Sequence, residues 1–130
     1  MLKRDFIMVQ IEELAKVILQ IILNRNTGAA RKTPALIQTV YTSLKLDRHT
    51  LLNSTPEELV RRLDQDDKGG MLRLEIAVKA FIEESYLEPG KQKEILRKAK
   101  EYLVYIQQHD TTFSLERVSL LEEIEQMLAH

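Results

Sequence analysis

The apolar circumference of the first predicted helix constrains this chain more than any other feature. Over residues 6–23 almost every position outside one narrow polar strip is apolar. At helical pitch these side chains fill an arc of roughly 200°, whereas an ordinary surface helix carries a stripe of about 100°. A helix with so wide an apolar arc needs cover on more than one side. We therefore expect it either at the centre of a helical domain or partly against another chain.

The start signals along the rest of the chain predict helices. Thr33 and Thr55 each precede a proline, Pro34 and Pro56, and Ser114 is a good N-cap. Apolar residues recur at helical spacing after each signal, and no alternating strand pattern competes. The sequence predicts an all-α fold in a single domain over residues 1–130. We expect a compact bundle of five to six helices, with tetratricopeptide-like helical hairpins around a central N-terminal helix.

Charge and composition exclude several classes of protein. The chain has 19 basic and 20 acidic residues, without the basic excess of a nucleic-acid-binding domain. It has no cysteine, which excludes disulfides and thiolate metal sites and fits a reducing compartment. Asp5, Glu12 and Glu13 interrupt the N-terminal apolar stretch, so we expect neither a signal peptide nor a membrane span. These features predict a cytoplasmic protein with no nucleic-acid or membrane partner.

The order of short motifs resembles a known family of small bacterial all-helical proteins of unknown function. The motifs are spread over the whole chain and are Asp5-Phe6-Ile7-Met8, Gln10-Ile11-Glu12, Ser54-Thr55-Pro56-Glu57-Glu58-Leu59 and Thr112-Phe113-Ser114-Leu115-Glu116-Arg117. The resemblance implies a tetratricopeptide-like helical fold in a bacterial cytoplasm. The family has no established activity, so the resemblance implies no catalytic residues.

One polar segment imitates a calcium-binding loop. In a twelve-residue EF-hand frame Asp64 takes the first position, Asp66 the third, Gly69 the sixth and Glu75 the twelfth. Lys68 at the fifth position puts a positive charge where a ligand oxygen belongs. We expect an acidic turn between two helices, in which Gly69 and the glycine after it let the chain turn, and keep weak calcium binding as the alternative. No other pattern suggests a metal or a cofactor.

The residues for catalysis are few. His49, His109 and His130 have neither the i, i+4 spacing nor the HExxH pattern of a zinc site. His109 is next to Asp110, but adjacent residues in a loop usually point apart. We therefore predict that the chain is not an enzyme. A small metal-dependent or hydrolytic enzyme stays the alternative if His49 or His109 converges with carboxylates.

A basic face on the fifth predicted helix is a candidate binding surface. Lys93, Arg97 and Lys100 share one side of this helix and could contact phosphates. A solvated surface opposite the apolar stripe is the other interpretation, and no aromatic residues interleave with the basic ones as they do in nucleic-acid sites.

The wide apolar arc of the first helix predicts interaction with protein. In one hypothesis its exposed remainder, with Phe6, Val9 and Leu23, forms the seam of a homodimer. In the other, a groove between helix pairs receives a helix from a different protein. The sequence thus predicts a protein-interaction or homo-oligomerisation module without catalytic activity.

Overall fold

Seven α-helices and two 3₁₀ turns make up the computed structural model, which describes the backbone of residues 2–130 and the side chains of residues 6–130. This part of the chain contains no strand, so the predicted all-α fold is confirmed. Within it, no helix is both long enough and apolar enough to cross a membrane. The α-helices are α1 (Leu2–Asn26), α2 (Thr33–Leu44), α3 (Arg48–Asn53), α4 (Pro56–Leu63), α5 (Gly70–Ser85), α6 (Gln92–His109) and α7 (Leu115–Ala129), and the 3₁₀ turns are Ala30–Lys32 and Pro89–Lys91. The described residues hold more helices than the five to six predicted, because the connector between α2 and α4 forms the short α3.

Helix α5 lies at the centre of the bundle. It packs against α1, α2, α4 and α6, and eleven of its sixteen residues are buried. The expectation that the N-terminal helix is central is wrong, because α1 packs mainly on α2 and α5 and leaves another side in solvent. Polar residues of α5 such as Arg73 and Glu83 have ionic partners inside the fold. Glu12 and Glu13 of α1 have none there and stay hydrated.

Helices α1 and α5 run side by side in the same direction. Gln10 in the first half of α1 accepts a hydrogen bond from Arg73 near the start of α5, at 3.0 Å. Arg25 at the end of α1 forms a salt bridge of 2.8 Å with Glu83 near the end of α5.

Helix α7 also runs in the direction of α5, because it forms an antiparallel pair with α6. Arg117 at its start donates to Gln107 at the end of α6, at 2.8 Å. Further along, Glu125 forms a salt bridge with Lys100 in the middle of α6. Helices α1 and α7 therefore flank α5 in parallel. The likeness to tetratricopeptide hairpins stays a prediction.

The helix starts follow local side-chain chemistry. Thr55 Oγ1 accepts a hydrogen bond of 3.2 Å from Glu58 N, and Glu58 Oε1 accepts one of 2.9 Å from Thr55 N, which completes a capping box. Ser114 Oγ caps α7, accepting a hydrogen bond of 3.1 Å from its first turn. Thr33 is not the cap that the sequence predicts. The 3₁₀ turn before it leads straight into α2, so Thr33 is the first helical residue.

The glycine pair between α4 and α5 serves close packing rather than turning. The left-handed residue of this segment is Lys68, with a φ of 56°, while Gly69 has a φ of −89°. A Cβ atom on Gly70 would lie 2.2 Å from the carbonyl oxygen of Val60, and one on Gly69 would lie 1.9 Å from Ile7 Cδ1. Gly70 therefore lets the backbone of α4 approach the start of α5, whereas the end of the Ile7 side chain could move away from a Cβ atom on Gly69.

A buried arginine joins three parts of the fold at this junction. The side chain of Arg73 is 1% exposed and donates two hydrogen bonds to Asp67, of 2.8 and 2.6 Å. It also donates to the Leu63 carbonyl at 3.1 Å and to Gln10 at 3.0 Å. The hydrogen bonds from Arg73 lower the pKa of Asp67 to about 2. Arg73 thus ties α1 and the loop after α4 to α5.

Candidate functional site

An apolar groove runs over α5 between α1 and α7. Its volume is about 320 Å³, and it is partly open to solvent. It lies there because α7 packs chiefly on α6 and α1 chiefly on α2 and α5, which leaves a narrow gap between α1 and α7. The floor of this gap is nearly closed, since Ile76 and Ile82 of α5 are 5% and 3% exposed. The groove is lined by Ala15, Ile18, Leu19 and Ile22 of α1, by Ile76, Lys79, Ile82 and Glu83 of α5, and by Glu116 and Leu120 of α7.

The sequence of α1 explains why this wall is apolar. One stripe of α1 (Ile7, Leu14, Ile18 and Ile21) is buried in the core. A second stripe lies next to it, at intervals of three, four, four and three residues, and places its side chains on a common side of the helix. Leu19 of this stripe is 65% exposed. The second stripe consists of Met8, Ile11, Ala15, Leu19 and Ile22.

An ionic and aromatic cluster closes the groove where α1 ends. Arg25 donates to both carboxylate oxygens of Glu83, at 2.8 and 3.1 Å, and its guanidinium lies 4.2 Å from the ring centre of Tyr86. The hydrogen bonds with Glu83 raise the pKa of Arg25. Because Glu83 is 6% exposed, this pair fixes the end of α1 against α5.

The opposite end of the bundle is apolar and exposed. Here α1, α5 and α7 begin, and Leu72 stands one turn before the groove residue Ile76 on the same side of α5. Leu72 is 48% exposed, and Phe113 and Leu115 beside the start of α7 are 71% and 70% exposed. Single exposed apolar side chains are common on monomers, so these residues do not by themselves define a binding surface.

Charge around the groove is predominantly negative. Lys79 forms salt bridges with Glu75 and Glu116, and Arg25 with Glu83. Glu12 on α1 and Glu123 on α7 add two exposed carboxylates beside the groove, and Lys16 stands one turn after Glu12 on α1.

The predicted dimer seam consists of Phe6, Val9 and Leu23, which are 62%, 52% and 53% exposed. They lie on α1 outside the groove, and the structure does not bring them together as one patch. Val9 and Leu23 are four turns apart, with Lys16 midway between them. Leu19 is a surface residue that was not predicted, although the spacing of the second stripe could have singled it out.

The predicted basic face of α6 is only partly available. Lys93 and Arg97 are exposed, but Lys100 forms a salt bridge with Glu125 of α7. Arg97 and Lys100 also border an open depression at the start of α4 that includes Glu57. The basic groups thus alternate with carboxylates and do not form a continuous cationic surface.

The segment from Asp64 to Glu75, which imitates a calcium-binding loop in sequence, uses its carboxylates within the fold. Asp64 accepts a hydrogen bond of 2.8 Å from Gly70 N, and Asp67 binds Arg73. Glu75, the twelfth position of the frame, lies on α5 and accepts from Arg117 at 3.1 Å. Over the described residues, no group of three or more metal-ligating side chains could hold an ion. The segment acts as a cap and an anchor for α5.

His49 and His109 each contact a residue one turn away on their own helices. His49 lies 3.3 Å from the amide nitrogen of Asn53, and the ring of His109 stacks on Tyr105 with centroids 4.0 Å apart. Asp110, the sequence neighbour of His109, instead accepts a hydrogen bond from Arg117 at 2.9 Å.

Comparisons of the chain with protein-family models, with curated proteins and with solved structures found no match. The resemblance to a bacterial family therefore stays a prediction.

Proposed function

We propose that this chain is a protein-interaction module that binds one amphipathic helix of another protein in the groove between α1 and α7. The observation that carries the proposal is the second apolar stripe of α1, which remains beside an open groove once the core is formed. The part of the stripe that lines the groove, from Ala15 to Ile22, is about 10 Å long, or about two helical turns.

The occupant is a helix because the groove offers it no backbone hydrogen bonds. All three walls are helices whose amides and carbonyls bond within the helix. An extended peptide would leave its own backbone groups unpaired here, whereas a helix satisfies them internally. The walls provide apolar side chains and a charged rim, which suit residues at intervals of three and four on a partner helix.

Self-association is the second candidate function. The exposure of Phe6, Val9 and Leu23 favours it, since these side chains give α1 an apolar surface outside the groove. Lys16 interrupts that surface, and this makes it the weaker candidate. A monomer at tens of micromolar in light scattering would contradict a dimer through this face.

A peptide titration tests the main proposal. The probe is an 18-residue helical peptide with leucine on one face and glutamine elsewhere. We expect it to change the amide NMR signals of Leu19, Ile22, Ile76 and Leu120. Replacing Leu19 by Gln removes an exposed apolar contact of the groove, so the peptide should bind about tenfold more weakly, which corresponds to about 1.4 kcal/mol.

Val9→Gln is the matched control, because Val9 is similarly exposed on α1 but lies outside the groove. It should bind the peptide as the unmodified protein does, and neither variant should lose more than about 0.5 kcal/mol of stability. Equal binding by the two variants, or no binding at all, contradicts the proposal. So does a dimer that Leu19→Gln dissociates, because a second copy of the chain would then be the occupant.

The remaining predictions complete this proposal. We infer a non-catalytic bacterial protein in the cytoplasm, with no nucleic-acid partner. The near-even overall charge supports the last point, and the ionic partners of the acidic segment support a structural use of its carboxylates.

A further inference from the structure

Two carboxylates on the rim of the groove, Glu12 and Glu123, form no salt bridge with the described side chains of residues 6–130. On α7, Glu123 follows Glu116 by seven residues and so lies on the same side of the helix. Its charge acts on Arg25 and Tyr86, which places it beside the closed end of the groove. On α1, Glu12 is exposed and lies next to Leu19 in the helical projection.

The nearby cations are already engaged. Lys79 pairs with Glu75 and Glu116, and Arg25 pairs with Glu83. Lys16 is the nearest further cation on α1. Around the helix axis it is turned about 40° further from the groove than Glu12, which lies one turn before it. Within the described part of the chain, both rims of the groove thus present negative charge to an incoming helix.

We propose that the partner helix is cationic, with lysine or arginine on both sides of its apolar stripe, where they face Glu12 on one rim and Glu123 on the other. This inference rests on the proposed function, since it assigns the charge of the helix that the groove binds. Charge complementarity of this kind selects among helices of equal apolar content. It also accelerates association at low ionic strength.

The exposed residues of α1 and α7 provide matched variants. Glu12 and Glu13 are adjacent, as are Glu122 and Glu123, so the side chains in each pair point about 100° apart. Glu13 faces away from the groove, and Glu122 lines the opposite surface of α7. The double variants Glu12→Gln with Glu123→Gln and Glu13→Gln with Glu122→Gln therefore change the net charge equally but alter different surfaces.

The experiment compares three helical peptides with the same leucine face and with lysine, glutamine or glutamate at the flanking positions. Fluorescence anisotropy measures their binding at 20 mM and at 500 mM sodium chloride. At low salt we expect the lysine peptide to bind about tenfold more tightly than the glutamine peptide, and the glutamate peptide to bind most weakly. At high salt the three affinities should agree within about twofold, because salt screens exposed pairs.

The double variant on the rim should lose most of the preference for lysine, and the variant at Glu13 and Glu122 should keep it. If all three peptides bind in the groove with equal affinity, the inference is wrong while the proposed function stands. If both double variants lose the preference equally, overall charge causes it rather than the rim, and the inference is again wrong. If no peptide binds in the groove, the proposed function fails and this inference fails with it.

Discussion

Replacement of Arg73 by Met should cause a large loss of stability. The guanidinium is 1% exposed and bonds to Asp67, the Leu63 carbonyl and Gln10. Without it the Asp67 carboxylate, 7% exposed, loses its cation. Breaking a buried pair in this way costs about 3–5 kcal/mol. That is a large part of the 5–15 kcal/mol that typically separates folded from unfolded domains.

The pKa of Asp67 gives a second value for the contribution of this ion pair to the free energy of unfolding. The carboxyl titrates near 3.8 when unfolded and near 2 in the fold, because Arg73 donates hydrogen bonds to it. This depressed pKa contributes about 2 kcal/mol of stability, which is fully present above about pH 5 and is lost as the pH falls towards 2. About 1 kcal/mol of it should already be lost at pH 3.

Urea denaturation followed by circular dichroism measures both effects. The unmodified protein should lose about 1 kcal/mol more between pH 7 and pH 3 than Asp67→Asn, because the amide does not titrate. At pH 7 the double-mutant cycle of Arg73→Met and Asp67→Asn should show strong coupling. The exposed Arg97→Met is the matched control and should change stability by less than about 0.5 kcal/mol. Parallel pH profiles, or additive effects of the two substitutions, would refute the argument.

Three further substitutions test the close approaches and the buried hydrogen bonds of the fold. Gly70→Ala should destabilise by about 1–3 kcal/mol in thermal denaturation, since its Cβ would lie 2.2 Å from a backbone oxygen of α4. Gly90→Ala, where nothing lies within 4 Å, should be neutral or slightly stabilising, and an equal loss at both positions would contradict this account. Tyr102→Phe should lower the free energy of unfolding in urea by about 1–3 kcal/mol. The reason is that the Tyr102 hydroxyl donates to the carbonyls of Leu51 at 2.5 Å and Ser54 at 3.0 Å. An unchanged denaturation midpoint would mean that these carbonyls find other donors.

Sequence reasoning was most successful where the determinant is local. The capping box of Thr55 and the N-cap Ser114 act within one helical turn, so residue type and spacing suffice to identify them. Thr33 shows the limit of the same reasoning. A threonine before a proline is a valid start signal, yet the turn that precedes it decides where α2 begins.

The candidate site was predicted only in outline. A groove that receives a helix was one hypothesis, but its walls could not be assigned, because the apolar arc of α1 is equally compatible with a central position. The arc is divided by α5, which covers one stripe and leaves Leu19 and Ile22 beside an open space. The position of α7 on the far side depends on its packing against α6, a contact that the pattern of α7 alone does not specify.

The sequence alone determined the all-α fold class and the start signals of α4 and α7, because helical periodicity and capping act between residues at most a few positions apart. Tertiary structure alone decided that α5 is the central helix and that α1 and α7 leave a groove over it. The periodicity of a helix defines an apolar face but not the neighbour that covers it. That choice depends on contacts between residues distant in the chain, such as Arg73 with Gln10 and Arg25 with Glu83.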